Sequence, residues 1–340
     1  MNALRGQPVD TTPVWIMRQA GRYLPEYRAT RARAGDFLTL CKTPELACEV
    51  TLQPIDRLGV DAAILFSDIL IPLEKMGVPV AFPEEGPRLQ PVRDEAGIRA
   101  LRVPEADAEF PFVMNAIALI RSALNGRVPL IGFAGAPFTL LTYVVEGQTG
   151  KQFTETKRLL FTAPAAAHEL LQKLADTVAD YLAAQIRAGA QVVQLFDSWV
   201  GQLGPDDFRT FAAPYVRGIV DRLKPLGAPV IYFANDGGSL LGDAATLGAH
   251  CLGVDWRTPL DEARAKAGGR ITLQGNLDPC VLFAPVSEIE RRATDILRRG
   301  GEGPHVFNLG HGILPATPPE HAAALVEIVH RVGSDINRPK

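Results

Sequence analysis

Apolar runs of a few residues recur along the chain, each closed by polar or glycine residues and most followed by a stretch of helical periodicity. They fall at residues 13–17, 62–66, 128–133, 191–196, 229–233, 251–254, 270–273 and 305–309. None alternates apolar with polar positions, so each predicts a strand buried on both faces, as in a parallel sheet covered by helices. Apolar positions at helical spacing predict helices over about 43–58, 107–124, 164–188, 205–223, 287–299 and 318–332. Thr43 before Pro44 and Thr317 before Pro318 supply start signals. Eight such repeats predict a single (β/α)8 TIM barrel rather than an open sheet, and no GxGxxG follows the first run to mark a dinucleotide fold. The barrel is expected to span 1–340 as one domain. It carries an N-terminal arm at 1–12, a Pro-, Gly- and charge-rich loop excursion with room for a hairpin at 71–104, and a tail at 333–340.

In such a barrel the residues just past the strand ends converge on one mouth, where active sites lie. That rule gathers Arg18, Arg22, Asp68, Tyr143, Ser198, Asn235, Gln274 and His311. Arg18 and Arg22 follow the first apolar run directly, with Gly21 between them. Up to residue 33, six arginines face only Asp10 and Glu26, and no lysine occurs. Arginine offers a fixed fork of donors matched to carboxylate or phosphate, where lysine offers a point charge. A solvated basic arm is the plainer reading of such a run; its position at the end of a buried strand favours an anion site. Phe66, Phe133, Phe196, Trp199 and Phe233 lie at or near strand ends, so an apolar cavity with an arginine rim is expected, suited to a large amphipathic anion. Asp68 would have its ionised form favoured by the arginines, or would simply cap the next turn. Tyr143 reads as a helix-face aromatic as well as a site residue. His311 between two glycines points to close backbone approach. Ser198 has no GxSxG around it and is no candidate nucleophile.

Composition narrows the classes. The chain has 340 residues, 47% apolar and 21% charged, enough for a large core. A net charge of -3 gives no field that favours nucleic acid, so any anion site must be local. The first residues contain no apolar h-region and no run approaches membrane-spanning length, so a soluble cytoplasmic chain with no membrane partner is expected. Cys41, Cys48, Cys251 and Cys280 show neither CxxC nor HxC spacing, so neither a zinc site nor a disulfide framework is expected, and no metal.

Longer words of the sequence carry a resemblance. PVWIMRQAGRYLPEYR resembles the N-terminal signature of uroporphyrinogen decarboxylases, and IGFAGAPFTLLTYVVEG resembles their second signature. FSDIL, LFDSWVG, QGNLDP and NLGHGILPATPPEH are similar to further blocks of the family, so the likeness covers about residues 8–332. It implies a (β/α)8 carboxy-lyase needing no cofactor or metal, usually a homodimer. Such an enzyme removes the four acetate carboxyls of uroporphyrinogen III as carbon dioxide, giving coproporphyrinogen III in haem and porphyrin synthesis. Position by position, Arg18 and Arg22 match the family's carboxylate-holding arginines. Asp68 matches the aspartate over the macrocycle centre that accepts the pyrrole NH groups. Tyr143, Ser198 and His311 match other substrate contacts. Arg31 matches a further one, but RARAGDF is one residue longer than the family pattern, so Arg31 and Arg33 compete for it. Val200 stands where a smaller alanine is usual, an alteration of packing. Two other readings fit the mouth: a corrinoid-dependent methyltransferase, which would need a His and Cys zinc site, and a tetrapyrrole carrier without catalysis.

Overall fold

A computed structural model of the chain describes residues 1–83, 86–150, 152–269, 271–301 and 303–337. Its strands are β1 (Ala63–Ile64), β2 (Val80–Ala81), β3 (Arg88–Leu89), β4 (Leu130–Gly135), β5 (Val192–Asp197), β6 (Val230–Ala234), β7 (Cys251–Val254), β8 (Thr272–Leu277) and β9 (His305–Leu309). β2 and β3 form a separate antiparallel hairpin, and the other seven form one parallel sheet in the order β1-β4-β5-β6-β7-β8-β9. The sheet is curled. Trp15, Ala62, Ile131, Val192, Ile231 and Val306, from the beginnings of successive elements, all line one cavity of about 30 Å³ at its N-terminal end. Helices cover the outside, the longest being Pro164–Ala188 against β4 and β5. One apolar cluster runs from Ala3 to Val329. Among the described residues no helix is long and apolar enough to cross a membrane.

The first expected strand is not a regular one, and the reason is legible in its hydrogen bonds. Residues 13–17 make a single parallel bridge, Val14 to Phe307 of β9. Pro13 has no N–H to give to a ladder. Of the next four amides, only Trp15 N donates to a main-chain oxygen, that of Phe307 at 3.3 Å. Val14 N donates to Asp61 Oδ2 (2.7 Å), Ile16 N to Gln19 Oε1 (3.1 Å) and Met17 N to Asn308 Oδ1 (3.0 Å). On the other edge, Asp61 N donates to the Val14 carbonyl at 2.8 Å. Side chains thus stand in for strand partners, which satisfies the buried amides without a ladder.

A second substitution lies between β1 and β4, which pair only at Ala63–Leu130 and Ile64–Ile131. Beyond that point Phe66 N donates to Thr51 Oγ1 (3.0 Å), and the amide of Gln185 bonds both main-chain groups of Phe133 at 2.9 Å. Gly132 makes room for this, since a Cβ there would lie 2.3 Å from Gln185 Oε1. The main-chain bonding between these segments ends with Leu65 N to Ile131 O at 2.9 Å, and side chains serve the backbone beside Phe66 instead.

Other expectations change in detail. The arm at 1–12 includes a 3₁₀ turn, Ala3–Arg5, with Leu4 buried and Thr272 Oγ1 donating to Ala3 O at 2.9 Å. Residues 107–124 are two helices, Ala106–Glu109 and Pro111–Leu124, and 205–223 are Pro205–Phe211 and Ala213–Leu223. Each break falls just before or within the first residues of a proline-started helix, where proline admits no preceding helical turn. The excursion at 71–104 holds the β2–β3 hairpin between short helices Ile71–Met76 and Glu95–Ala100. Arg270, where the seventh strand was expected to start, lies outside the described residues, as do 338–340 of the expected tail. The closing helix, Pro319–Asn337, takes up the rest of that tail. β8 runs on to Leu277, so Gln274 is not at a strand end. It is fully buried, accepting from Trp15 Nε1 (2.9 Å) and donating to Gln194 Oε1 (3.1 Å).

Asp61 also accepts from His330 Nε2 at 2.8 Å, and Thr11 Oγ1 donates to His330 O at 2.9 Å, tying the start of the first segment to the last helix. The Asp61 carboxylate raises the His330 pKa above its ordinary 6.5 despite partial burial. A raised folded-state pKa gives stability that is complete below the unfolded value and lost as pH rises through the folded one. The melting temperature of wild type should therefore exceed that of His330→Gln by more at about pH 5.5 than at about pH 8.5. A difference independent of pH would mean that the Asp61–His330 contact carries no charge.

Candidate active site

The residues after Met17 set the geometry. Arg18 has φ 62, a left-handed conformation uncommon for a residue with a side chain. Its aliphatic stem lies on Gly312, where a Cβ would come within 2.4 Å of Arg18 Cδ. Gly310 is equally confined, since a Cβ there would lie 2.3 Å from Trp256 N. The two glycines beside His311 are thus explained by close approach: one against the β7 exit, the other against Arg18. The His311 ring meets Trp256 edge-on at 6.3 Å, and the Arg257 guanidinium stacks 4.1 Å from the Trp256 ring centre. Burial, with the positive charges of Arg18 and Arg257, pushes the His311 pKa down to about 4, so its ring is neutral near pH 7.

Asp68, just past β1, does cap its turn, Oδ1 accepting from Leu70 N at 2.9 Å. Its other oxygen has no hydrogen-bond partner among the described residues, so the capping role leaves one acceptor free. Burial raises the Asp68 pKa, opposed by the Leu70 amide and the charge of Arg18. Tyr143, on the helix Pro137–Glu146, is buried with its ring 6.3 Å from that of Trp199. Burial pushes its hydroxyl up, while Asp68 and Arg18 act on it in opposite senses. Arg18 is therefore within electrostatic reach of Asp68, Tyr143 and His311 together.

Arg18, Arg22 and Arg31 form no ion pair among the described residues, whereas Arg33 is engaged by Glu49. Arg22 is exposed and Arg31 partly buried, in the helix Pro25–Ala34. Arg31 acts on Tyr27, whose ring lies 5.6 Å from Phe66, so it sits on the Asp68 side of the rim. Of the two competing arginines, Arg31 is the one with its guanidinium unpaired. Ser198 follows β5, and its carbonyl accepts from Asn235 Nδ2 at 3.0 Å, which makes Asn235 a support behind the loop. Phe133 and Phe196 meet at 5.6 Å and Phe196 and Phe233 at 6.1 Å, so these three rings pack as one cluster across β4, β5 and β6. Gln274, by contrast, is taken up inside the curled sheet.

Sequence reasoning passed over Arg257. It bridges Asp255 Oδ1 (3.4 Å) and Asp236 Oδ1 (3.6 Å) on two neighbouring exits. The signal was present, since Arg257 follows an apolar run almost as directly as Arg18 does. Asp197 was also passed over as a mere strand end. Among the described residues no three His, Cys, Asp or Glu side chains gather as metal ligands would.

Comparison with known proteins adds a family. The model described as uroporphyrinogen decarboxylase matches residues 1–332. Proteins named uroporphyrinogen decarboxylase from Hahella chejuensis and Myxococcus xanthus are each 53% identical, over 98% of this chain and 96% of their own length. One from Escherichia coli O157:H7 is 51% identical over 99% of this chain and 98% of its own. Among solved structures, a methyltransferase from Methanosarcina mazei superposes with a TM-score of 0.81 at 23% identity, covering 97% of this chain and 96% of its own. That last likeness is one of fold.

The proximity of Arg18 and His311 can be checked directly. In nuclear magnetic resonance titrations the His311 ring should titrate near pH 4 in wild type and higher in Arg18→Gln, because a positive neighbour has been removed. An unmoved titration in the variant would separate the two residues.

Proposed function

The chain belongs to the uroporphyrinogen decarboxylase family and decarboxylates uroporphyrinogen in porphyrin and haem biosynthesis, and we propose that Arg18, Arg22 and Asp68 carry the reaction. The observation that carries these roles is the shared neighbourhood of one unpaired arginine, Arg18, with Asp68, Tyr143 and His311. Arg18, Arg22 and Arg31 would hold side-chain carboxylates of the substrate. Tyr143, Ser198 and neutral His311 would offer hydrogen bonds around the macrocycle, and the phenylalanines an apolar bed.

Asp68 would lie under the pyrrole nitrogens, its free oxygen accepting their N–H groups. Protonation of a pyrrole carbon beside nitrogen makes the ring a cation. The acetate then loses carbon dioxide, and the bonding pair of the broken carbon–carbon bond flows into that ring. A proton added at the exocyclic carbon gives the methyl group, and loss of the ring proton restores the pyrrole. The substrate is its own electron sink, so the chemistry calls for no cofactor. An ionised Asp68 stabilises the cation, an effect largest where water is scarce. Arginine stays charged, so Arg18 is a poor formal acid; water or an acid relayed through its hydrogen bonds supplies the proton. In this reading all four acetates of uroporphyrinogen III leave in turn to give coproporphyrinogen III.

The same reading has residues 13–17 occupying the eighth position and closing one (β/α)8 domain. What supports it is that Pro13 O and Trp15 N bond Phe307 of β9 on one edge, while Val14 between them bonds Asp61, just before β1, on the other. We further take the enzyme to be a cytoplasmic homodimer, as the family resemblance implies.

Incubation with uroporphyrinogen should release carbon dioxide and give stepwise products down to the tetracarboxylate. Asp68→Asn should fold but lose turnover by roughly 100- to 1,000-fold, with Asp68→Glu retaining more. Turnover by the Asn variant equal to wild type would leave Asp68 as the cap of its turn and nothing more. Arg22→Ala should weaken substrate binding with little change in melting temperature, since exposed pairings are worth about 0–1 kcal/mol.

A further inference from the structure

Asp197 is a fully buried carboxylate at the end of β5 that the mechanism does not use. Its side chain leaves the sheet toward the helix Pro137–Glu146 and the neighbouring strand. Thr139 Oγ1 donates to Oδ1 at 2.7 Å, and Tyr232 Oη, from β6, donates to Oδ2 at 2.7 Å. The Thr139 hydroxyl in turn accepts from Trp199 N at 3.1 Å. Trp199 packs its ring on Tyr143 at 6.3 Å and on Phe153 at 5.0 Å. Ser198, between Asp197 and Trp199, is held from behind by Asn235. A buried carboxylate is thus linked through one hydroxyl to the backbone of the wall that carries Ser198 and meets Tyr143.

We propose, resting on the decarboxylase reading, that Asp197 is a positioning residue: through Thr139 it fixes the Ser198–Trp199 wall before substrate arrives. The direction of each hydrogen bond makes the arrangement specific. An ionised carboxylate only accepts, so both hydroxyls must turn their single proton toward it. That leaves a Thr139 lone pair facing Trp199 N and no alternative rotor for the hydroxyl. Burial holds the Asp197 pKa up at about 6, with the two hydroxyls pulling it back, so the carboxylate is the main form at neutral pH. Burial first, then Asp197 itself, lifts the Tyr232 hydroxyl well above its ordinary range, so it remains a donor. Buried networks of this kind hold one geometry when every member is satisfied.

A preformed wall binds ground state and transition state alike, so losing it shows in KM more than in kcat. Thr139→Val keeps the branched shape but removes the hydroxyl that serves both Asp197 and Trp199. With uroporphyrinogen as substrate, this variant should raise KM about 10-fold with kcat within about twofold of wild type. Thr139→Ser should restore wild-type KM, and Asp197→Asn should move KM in the same direction as Thr139→Val. An unchanged KM in both Thr139→Val and Asp197→Asn overturns the inference. So does a loss of activity that only tracks the folded fraction by circular dichroism and that Thr139→Ser fails to rescue. A wild-type chain that released no carbon dioxide would sink the functional reading, and this inference with it.

Discussion

The structure depends on the satisfaction of buried amides in a segment that has no regular strand partner. Residues 13–17 thread between β9 and the start of β1, and each amide there finds an oxygen. Three of these oxygens belong to side chains: Asp61, Gln19 and Asn308. A buried amide left without a partner costs about 1–3 kcal/mol, so this borrowed ladder is what allows the segment to lie buried. Arg18 stands at its end. Its position over Gly312 is therefore inherited from hydrogen bonds made several residues earlier and from loops contributed by the far end of the chain.

The mouth combines that placement with a second substitution. Where the pairing of β1 with β4 ends, Thr51 and Gln185 satisfy the freed backbone of Phe66 and Phe133. Arg18 and Asp68 then lie within electrostatic reach of each other beside Phe66. The net charge of -3 means that any attraction for a polyanion is not a property of the whole molecule. Arg18, Arg22 and Arg31 form no ion pair among the described residues, while Arg33, two positions on from Arg31, is neutralised by Glu49. The buried layer behind the mouth is polar in a different way, with Asp197, Thr139 and Tyr232 satisfied among themselves.

Much of this was legible in the sequence, for physical reasons that also mark where legibility stopped. Runs buried on both faces announce parallel strands, and polar residues after them announce the mouth, so Arg18, Asp68, Ser198 and His311 could be gathered without coordinates. Gln274 misled because Gln-Gly-Asn looks like a turn, whereas β8 carries it through and spends the amide inside the sheet on Trp15 and Gln194. The breaks at Pro111 and Pro214 were written in the prolines and overridden by continuous apolar periodicity. No spacing rule separates Arg31 from Arg33, because Glu49, which pairs with Arg33, arrives from another helix. Asp197 was hidden for the same reason: its partners stand 58 and 35 positions away.

The hydrogen bond between Met17 and Asn308 joins residues 291 positions apart. A ribosome adding about 5–20 residues per second would finish the arginine-bearing segment some 15–60 s before the partner that seats it. During that interval the amides of Trp15 and Met17 lack their β9 partners, Phe307 and Asn308, and water or a chaperone must serve them. The segment that carries Arg18 is thus made first and seated last, so a nascent chain can bury much of its sheet before that arginine reaches its place over Gly312.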